Sequence, residues 1–354
     1  MLTIDGSQGE GGGQVLRTSL SLAALTGQDV QIVSIRAGRK RPGLAAQHAT
    51  CCLAVAAVCN GRVEGVKLDS QTVRLFPDQV TGGEYYFDVG EIAPSAGSAL
   101  LVLQSILPVL AMAPEPSNVT IIGGTDVPWS PPYAYIRDVF APALCRMGPV
   151  LHLERAKPGF YPRGGGEIAV GVTPARELAP TDLTARGTLE AGTICSTVSS
   201  DLPAHIARRQ NQAAEEAIRA ALKGTSFAGG RIAMREEDLA SLSPGTTCVA
   251  SLVFEAGHAG FTAIGRRGVK AEDVGAETGR AAAAFIKQNA AVDEHLADQL
   301  LLYAAVATGR SEYVTSEVTE HLRTNAAVAA SITGAGISVS EAGEVAVEGV
   351  GLSR

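Results

Sequence analysis

The stretch Val318-Thr319-Glu320-His321-Leu322-Arg323-Thr324-Asn325 sets an imidazole among an acid, a guanidinium and two small capping side chains. A strand-like run over residues 312–318 precedes it. An Ala/Val-rich helix follows from about Asn325, with Thr324 or Asn325 as its N-cap. That reading puts His321 in the loop between strand and helix. Helix N-termini carry unpaired N–H groups and partial positive charge, so such a junction can hold a phosphate beside a histidine. On the octapeptide alone, an ordinary hydrogen-bonded histidine fits better.

Other stretches add to the case. Gly9-Glu10-Gly11-Gly12-Gly13-Gln14 lets backbone N–H groups come close to a phosphate, although it lacks the Gly-Lys-Ser/Thr ending of a P-loop. A carboxylate there, Glu10, repels phosphate unless a divalent cation lies between; an exposed loop acid is an equal alternative. Arg36-Ala37-Gly38-Arg39-Lys40-Arg41 is a basic loop, with Arg17 upstream and Gln47-His48 beyond. On a helix over 293–306, His295, Asp298 and Gln299 share one polar face by i,i+3 and i,i+4 spacing. Gln104 is the single amide in the apolar run 100–107, and a buried amide needs a partner, whether protein or ligand. Gly164-Gly165-Gly166 formally opens a dinucleotide fingerprint, but a strand follows instead of a helix, so it reads as a turn.

The elements that must carry these residues repeat. Strand 2–5, the glycine loop, helix 15–25, strand 30–35, the basic loop, helix 44–58 and strands 63–68 and 73–76 make one unit. The order returns as strand 85–89, helix 98–111, strand 119–122, helix 133–147 and strands 150–154 and 167–172. A third copy, without a clear opening strand, runs from helix 293–306 through strand 312–318, the His321 loop, its helix, and strands 337–340 and 344–348. The fold class expected is α/β (α+β): a large domain of three βαβαββ units, residues 1–184 and 276–354, with a smaller α+β domain inserted at 185–275. The insertion is led by a Pro174 to Pro180 linker and holds a long helix over 203–222 and a strand near Gly229–Met234.

Composition excludes several classes. With 46% hydrophobic and 18% charged residues the chain is a folded protein. No apolar run is long enough to span a bilayer, and no membrane partner is expected. The six cysteines form no C-x-x-C pair and read as buried thiols of a reducing, cytoplasmic compartment. A net charge of −7 argues against bulk capture of long nucleic acid, so any nucleic-acid role depends on the local basic site.

Taken together, the segments 5–17, 35–48, 123–126, 159–166, 296–300 and 321–325 closely resemble the RNA 3′-terminal phosphate cyclases, over essentially the whole chain. The resemblance implies an ATP-dependent enzyme of the ligase class that converts an RNA 3′-phosphate to a 2′,3′-cyclic phosphate through a histidinyl-AMP on His321. It further implies that Glu10 holds Mg²⁺ or Mn²⁺ on the ATP phosphates. Gln104, Pro131 and the run His295, Leu296, Ala297, Asp298 and Gln299 would form the nucleotide pocket. Arg17, Arg36, Arg39, Gln47 and His48 would bind the RNA terminal phosphate. Whether Pro131 or Pro132 meets the adenine stays open, with Phe261 a further candidate for that stack. His295 stands where relatives often carry an aromatic. Two other readings are a non-catalytic cyclase-like protein of ribosome assembly, which the intact His321 stretch argues against, and an enolpyruvate-transferase-like enzyme, which leaves that stretch unexplained. The RNA, the metal preference and the oligomeric state, a homodimer among the options, stay open.

Overall fold

The computed structural model describes residues 1–225, 227 and 230–353. The first unit runs β1 (Leu2–Asp5), α1 (Gln14–Thr26), β2 (Val30–Val33), α2 (Ala46–Val58), β3 (Arg62–Glu64) and β4 (Val73–Phe76). The second runs β5 (Gly83–Asp88), α3 (Ala99–Leu110), β6 (Ser117–Gly123), α4 (Tyr133–Tyr135), a π-helical turn (Ile136–Phe140), α5 (Ala141–Cys145), β7 (Val150–Lys157) and β8 (Gly166–Thr173). Then come β9 (Asp182–Leu183), β10 (Leu189–Ser199), α6 (His205–Leu222), β11 (Ile232–Leu239), β12 (Thr246–Phe254), β13 (His258–Ile264) and α7 (Ala271–Ile286). The chain ends with α8 (Glu294–Val306), β14 (Thr308–Val314), α9 (Glu320–Thr333), β15 (Gly336–Val339) and β16 (Glu344–Val350).

Among the described residues, three of the four sheets have one topology. Their orders are β1-β2-β4-β3, β5-β6-β8-β7 and β9-β14-β16-β15, each with one parallel pair followed by two antiparallel pairs. The third unit therefore does have an opening strand. It is β9, two residues long, too short to show a period of two in the sequence. It pairs with β14 at Glu312↔Asp182 and Tyr313↔Leu183, ahead of the inserted elements. The fourth sheet, β11-β10-β12-β13, carries α6 and α7, which pack on each other. Residue 276 falls inside α7. The strand expected near Gly229–Met234 is β11, and Gly229 lies outside the described residues.

Burial explains the layering. Strand β8 alternates buried and accessible residues, as a sheet with one solvated face must. Helix α1 is buried on nearly every side, from Gln14 to Leu25, because α2, α3 and α9 surround it. Ser21 Oγ donates to the Ser105 carbonyl at 2.6 Å, tying α1 to α3 at their crossing. One apolar core runs through the three repeated units, and a separate one under the fourth sheet is built on Ile194, Phe254, Phe261 and Phe285. Among the described residues no helix is long and apolar enough to cross a membrane. The 174–180 segment is no loose linker: Leu178 is buried and its carbonyl accepts from Thr308 N at 2.9 Å.

Candidate functional site

Helix α9 starts earlier than the sequence suggests. Thr319 is its N-cap, its hydroxyl accepting from Leu322 N at 3.1 Å, and Glu320 lies in the first turn. His321 is thus inside the first helical turn, not in a loop, and Thr324 and Asn325 are buried mid-helix residues rather than caps. The imidazole is 43% exposed, with Nε2 3.6 Å from Glu10 Oε2. Arg39 reaches the same oxygen at 3.3 Å. One carboxylate oxygen thus gathers a histidine from the third unit and a guanidinium from the first.

The glycine loop reaches this point because it has no side chains to prevent it. A Cβ on Gly11 would meet Gly38 N of the basic loop, and one on Gly12 would meet Arg39. A Cβ on Gly13 would overlap His48 and approach Arg17 Nη1. Gly9 and Gly11 hold φ of 57° and 54°, left-handed conformations that only glycine adopts freely. Helix α1 then begins at Gln14 with neither a side-chain cap nor an acid in its first turn. Its N–H groups, Arg17, Arg39 and His48 together form a seat for an anion. Half-buried Arg17 has no carboxylate within ion-pair distance among the described residues, and burial lowers its pKa. Burial, then the charges of Arg17, Arg36 and Arg39, pushes His48 down to about 3, so it is neutral near pH 7, and its buried Nδ1 lacks a partner.

Two of the expected phosphate ligands also make structural bonds. Arg36 Nη1 donates to the Gly43 carbonyl at 2.7 Å and thereby closes the basic loop. Gln47 Oε1 accepts from Ser98 N at 2.7 Å, at the start of α3.

Below the anion seat lies a cavity of about 50 Å³ lined by Gln14, Arg17, Gln104, Asp298, Gln299 and Asn325 among others. Gln14 Oε1, Gln104 Nε2 and Gln299 Oε1 are buried there without partners. Three orphaned amide atoms around this space suit ordered water or the polar edge of a ligand. Burial raises the pKa of Asp298, against the charge of His321, the Asn325 hydrogen bond and the charge of Arg17.

The rest of the expected pocket is less gathered. Leu296 and Ala297 are core side chains with no exposed surface, so neither side chain can touch a nucleotide. His295 is mostly exposed, edge-on to Tyr135 at 6.4 Å. Pro131 is partly accessible, while Pro132 is buried as the N-cap of α4. Phe261 packs on Phe285 at 5.3 Å inside the second core and is no stacking platform. What positions α8 is Asp293, fully buried, which accepts from His295 N, Leu296 N, Tyr135 Oη and Gly260 N at 2.8 to 3.0 Å.

Sequence reading missed Gln14, Thr18 and Asn325 as site residues. A signal was there: Gln14, Arg17, Thr18 and Ser21 recur at i, i+3, i+4 and i+7 on a helix apolar elsewhere but for Ser19 and Thr26. As for metal, no cluster of three or more His, Cys, Asp or Glu fit to hold an ion exists among the described residues. Glu10 alone suits a cation completed by a ligand's own phosphate oxygens, the usual habit of Mg²⁺.

A family model described as RNA 3′-terminal phosphate cyclase matches residues 8–339. The chain is 43% identical over 330 residues to the RNA 3′-terminal phosphate cyclase of Methylococcus capsulatus, covering 92% of this chain and 89% of that one. It is 44% identical over 331 residues to that of Trichormus variabilis, covering 93% of each. The solved structure of the enolpyruvyl transferase NikO from Streptomyces tendae aligns with 99% of this chain and 48% of its own at TM-score 0.39 and 10% identity, a likeness too low to carry an argument.

Proposed function

The chain belongs to the RNA 3′-terminal phosphate cyclase family, and from that premise we propose that it converts RNA 3′-phosphate ends to 2′,3′-cyclic phosphates at the expense of ATP, with His321 as the nucleotidyl acceptor. Neutral His321 Nε2 attacks the α-phosphorus of ATP, the P–O bond to pyrophosphate breaks, and a histidinyl-AMP remains. The RNA 3′-phosphate displaces the histidine to form an adenylated end. The neighbouring 2′-hydroxyl then attacks the phosphorus of the RNA 3′-phosphate, loses its proton and expels AMP, closing the ring. Histidine suits the first step because a neutral imidazole nitrogen is nucleophilic and its phosphoramidate leaves readily once protonated. Splitting one condensation into successive displacements is the gain of covalent catalysis.

The observation that carries this reading is the meeting of His321, Glu10 and Arg39 on one oxygen, beside the uncapped start of α1. Arg17, Arg39 and His48 hold the RNA phosphate, while Arg36 and Gln47 brace the loop that presents it. Glu10 would bind Mg²⁺ or Mn²⁺ together with ATP phosphates, and that cation would neutralise charge on them. Gln104, Asp298 and Gln299 form the polar floor of the nucleotide site, with Pro131 and His295 at its rim. The three repeated units act as one catalytic body, and the fourth sheet with α6 and α7 forms an inserted module ending with α7.

Incubation with α-labelled ATP and Mg²⁺ or Mn²⁺ leaves an acid-labile label on the wild-type protein and none on His321→Ala. An unlabelled wild type overturns the nucleotidyl-transfer reading.

A further inference from the structure

Thr324 and Asn325 have no part in the reading above, yet both are buried against the start of the chain. Asn325 lies one turn along α9 from His321, so the two share a helix face. Thr18 Oγ1 donates to Asn325 Oδ1 at 2.6 Å. Asn325 Nδ2 donates to the Asp298 carboxylate and, at 3.3 Å, to the Asp298 carbonyl. The same carboxylate oxygen accepts from Gln14 Nε2 at 2.6 Å. Gln14 and Thr18 are themselves one turn apart on α1, so four side chains from three helices form a continuous chain of hydrogen bonds. Thr324 adds a seat beside it: a Cβ on Gly9 would overlap its hydroxyl, so the glycine loop rests directly on α9.

We propose that Asn325 is a positioning residue for His321, acting with Thr18, Asp298 and Gln14. Apolar contacts such as those of Leu322 and Val328 fix how deeply α9 is buried but restrain its rotation only weakly. A side-chain amide held on both its oxygen and its nitrogen sets that rotation, because each bond is directional. Rotation is what His321 needs held. It sits in the first turn, where helices fray, is partly exposed, and must present Nε2 beside Glu10. The loop that carries Glu10 leads into Gln14, so the relay ties acceptor and glycine loop to one frame. An asparagine inside a helix ordinarily competes for nearby backbone groups; here its amide is fully engaged with two other helices instead.

The inference rests on the reading of His321 as acceptor, and its test separates the two. Thr18→Val keeps the side-chain shape and removes the hydroxyl, Thr18→Ser restores it, and Asn325→Leu removes the amide. Label uptake from α-labelled ATP at saturating ATP falls about 10- to 100-fold in Thr18→Val and Asn325→Leu, the cost of misplacing reacting groups by roughly 1 Å. Thr18→Ser stays near wild type. ATP affinity, measured in the His321→Ala background where no adduct forms, falls by a smaller factor than label uptake does, whereas a residue that only lines the nucleotide cavity would lose both alike. In parallel, the imidazole resonances of His321, assigned by their loss in His321→Ala, move in Thr18→Val and Asn325→Leu and return in Thr18→Ser. Folded Thr18→Val and Asn325→Leu proteins with wild-type labelling and unmoved His321 resonances overturn the proposal. If the wild type takes no label, the acceptor reading fails, and the resonances alone decide the positioning claim.

Discussion

Two clusters of charge in this molecule are built on opposite plans. Arg155, 3% exposed, binds Asp126, 0% exposed, at 2.8 Å and also pairs with Glu237 from the fourth sheet. Thr197, Thr247, Arg137 and Asp138 complete that group, so nearly every lone pair and N–H has a protein partner. The cluster of Glu10, Arg39 and His321 is 43 to 47% exposed, joined by contacts of 3.3 and 3.6 Å, with Arg17 unpaired behind it. The first clasps the inserted sheet to the second unit. The second leaves a carboxylate, a guanidinium and an imidazole open to solvent. The two plans predict opposite responses to mutation: charges closed by the protein matter to folding, and charges left open matter to binding.

The largest stability effect therefore belongs to the buried cluster. Asp126→Ala removes one of the two carboxylates paired with buried Arg155 and costs about 3–5 kcal/mol, read from urea unfolding. A loss no greater than that of an exposed pair would break the contrast.

A smaller effect comes from His48, which lies between the two plans. Its ordinary value of 6.5 falls to about 3 in the folded protein. Below pH 6.5 the unfolded chain takes up a proton that the folded protein refuses, so stability present above pH 6.5 drains away as pH falls toward 3. His258, lowered to about 4 by burial and then by Arg146, contributes in the same window. His48→Gln flattens that acid limb in unfolding midpoints measured from pH 7 to 4, and adding His258→Gln flattens it further.

The smallest stability effect is that of Arg39→Ala. Its exposed pairing with Glu10 is worth no more than about 1 kcal/mol. The same change weakens binding of an RNA 3′-phosphate by about 10- to 100-fold, the value of a charge-assisted contact of roughly 1.5–3 kcal/mol. A large loss of stability without a loss of binding would reverse the assignment of this cluster.

The sequence showed the repeats because their helices and most of their strands are long enough for apolar spacing to register. It misplaced the start of α9 because Thr319 and Thr324-Asn325 are both plausible caps, and only tertiary structure shows the second pair engaged by Thr18, Asp298 and Gly9. The His321, Glu10 and Arg39 meeting was legible as a set of residue types, though not as a distance. The Arg155 clasp was not legible as a cluster: Asp126 ends the 123–126 motif, but Arg155 and Glu237 lie on two strands far apart in the chain, and no local pattern joins them to it. Leu296 and Ala297 come in with the 296–300 motif of the resemblance, but a helix turns neighbouring side chains about 100° apart, so they face the core while Asp298 lines the cavity.

Strand β9 bears on how the molecule comes into being. The first two sheets have all their strands once Thr173 has left the ribosome, and can close on the emerging chain. The third cannot: Asp182 and Leu183 must wait, unpaired, through the making of the whole inserted module until β14 arrives. Long-range pairing of this kind comes late in assembly. Because α9 follows β14, a nascent chain already displays its glycine loop and arginines but has no His321 to set beside them.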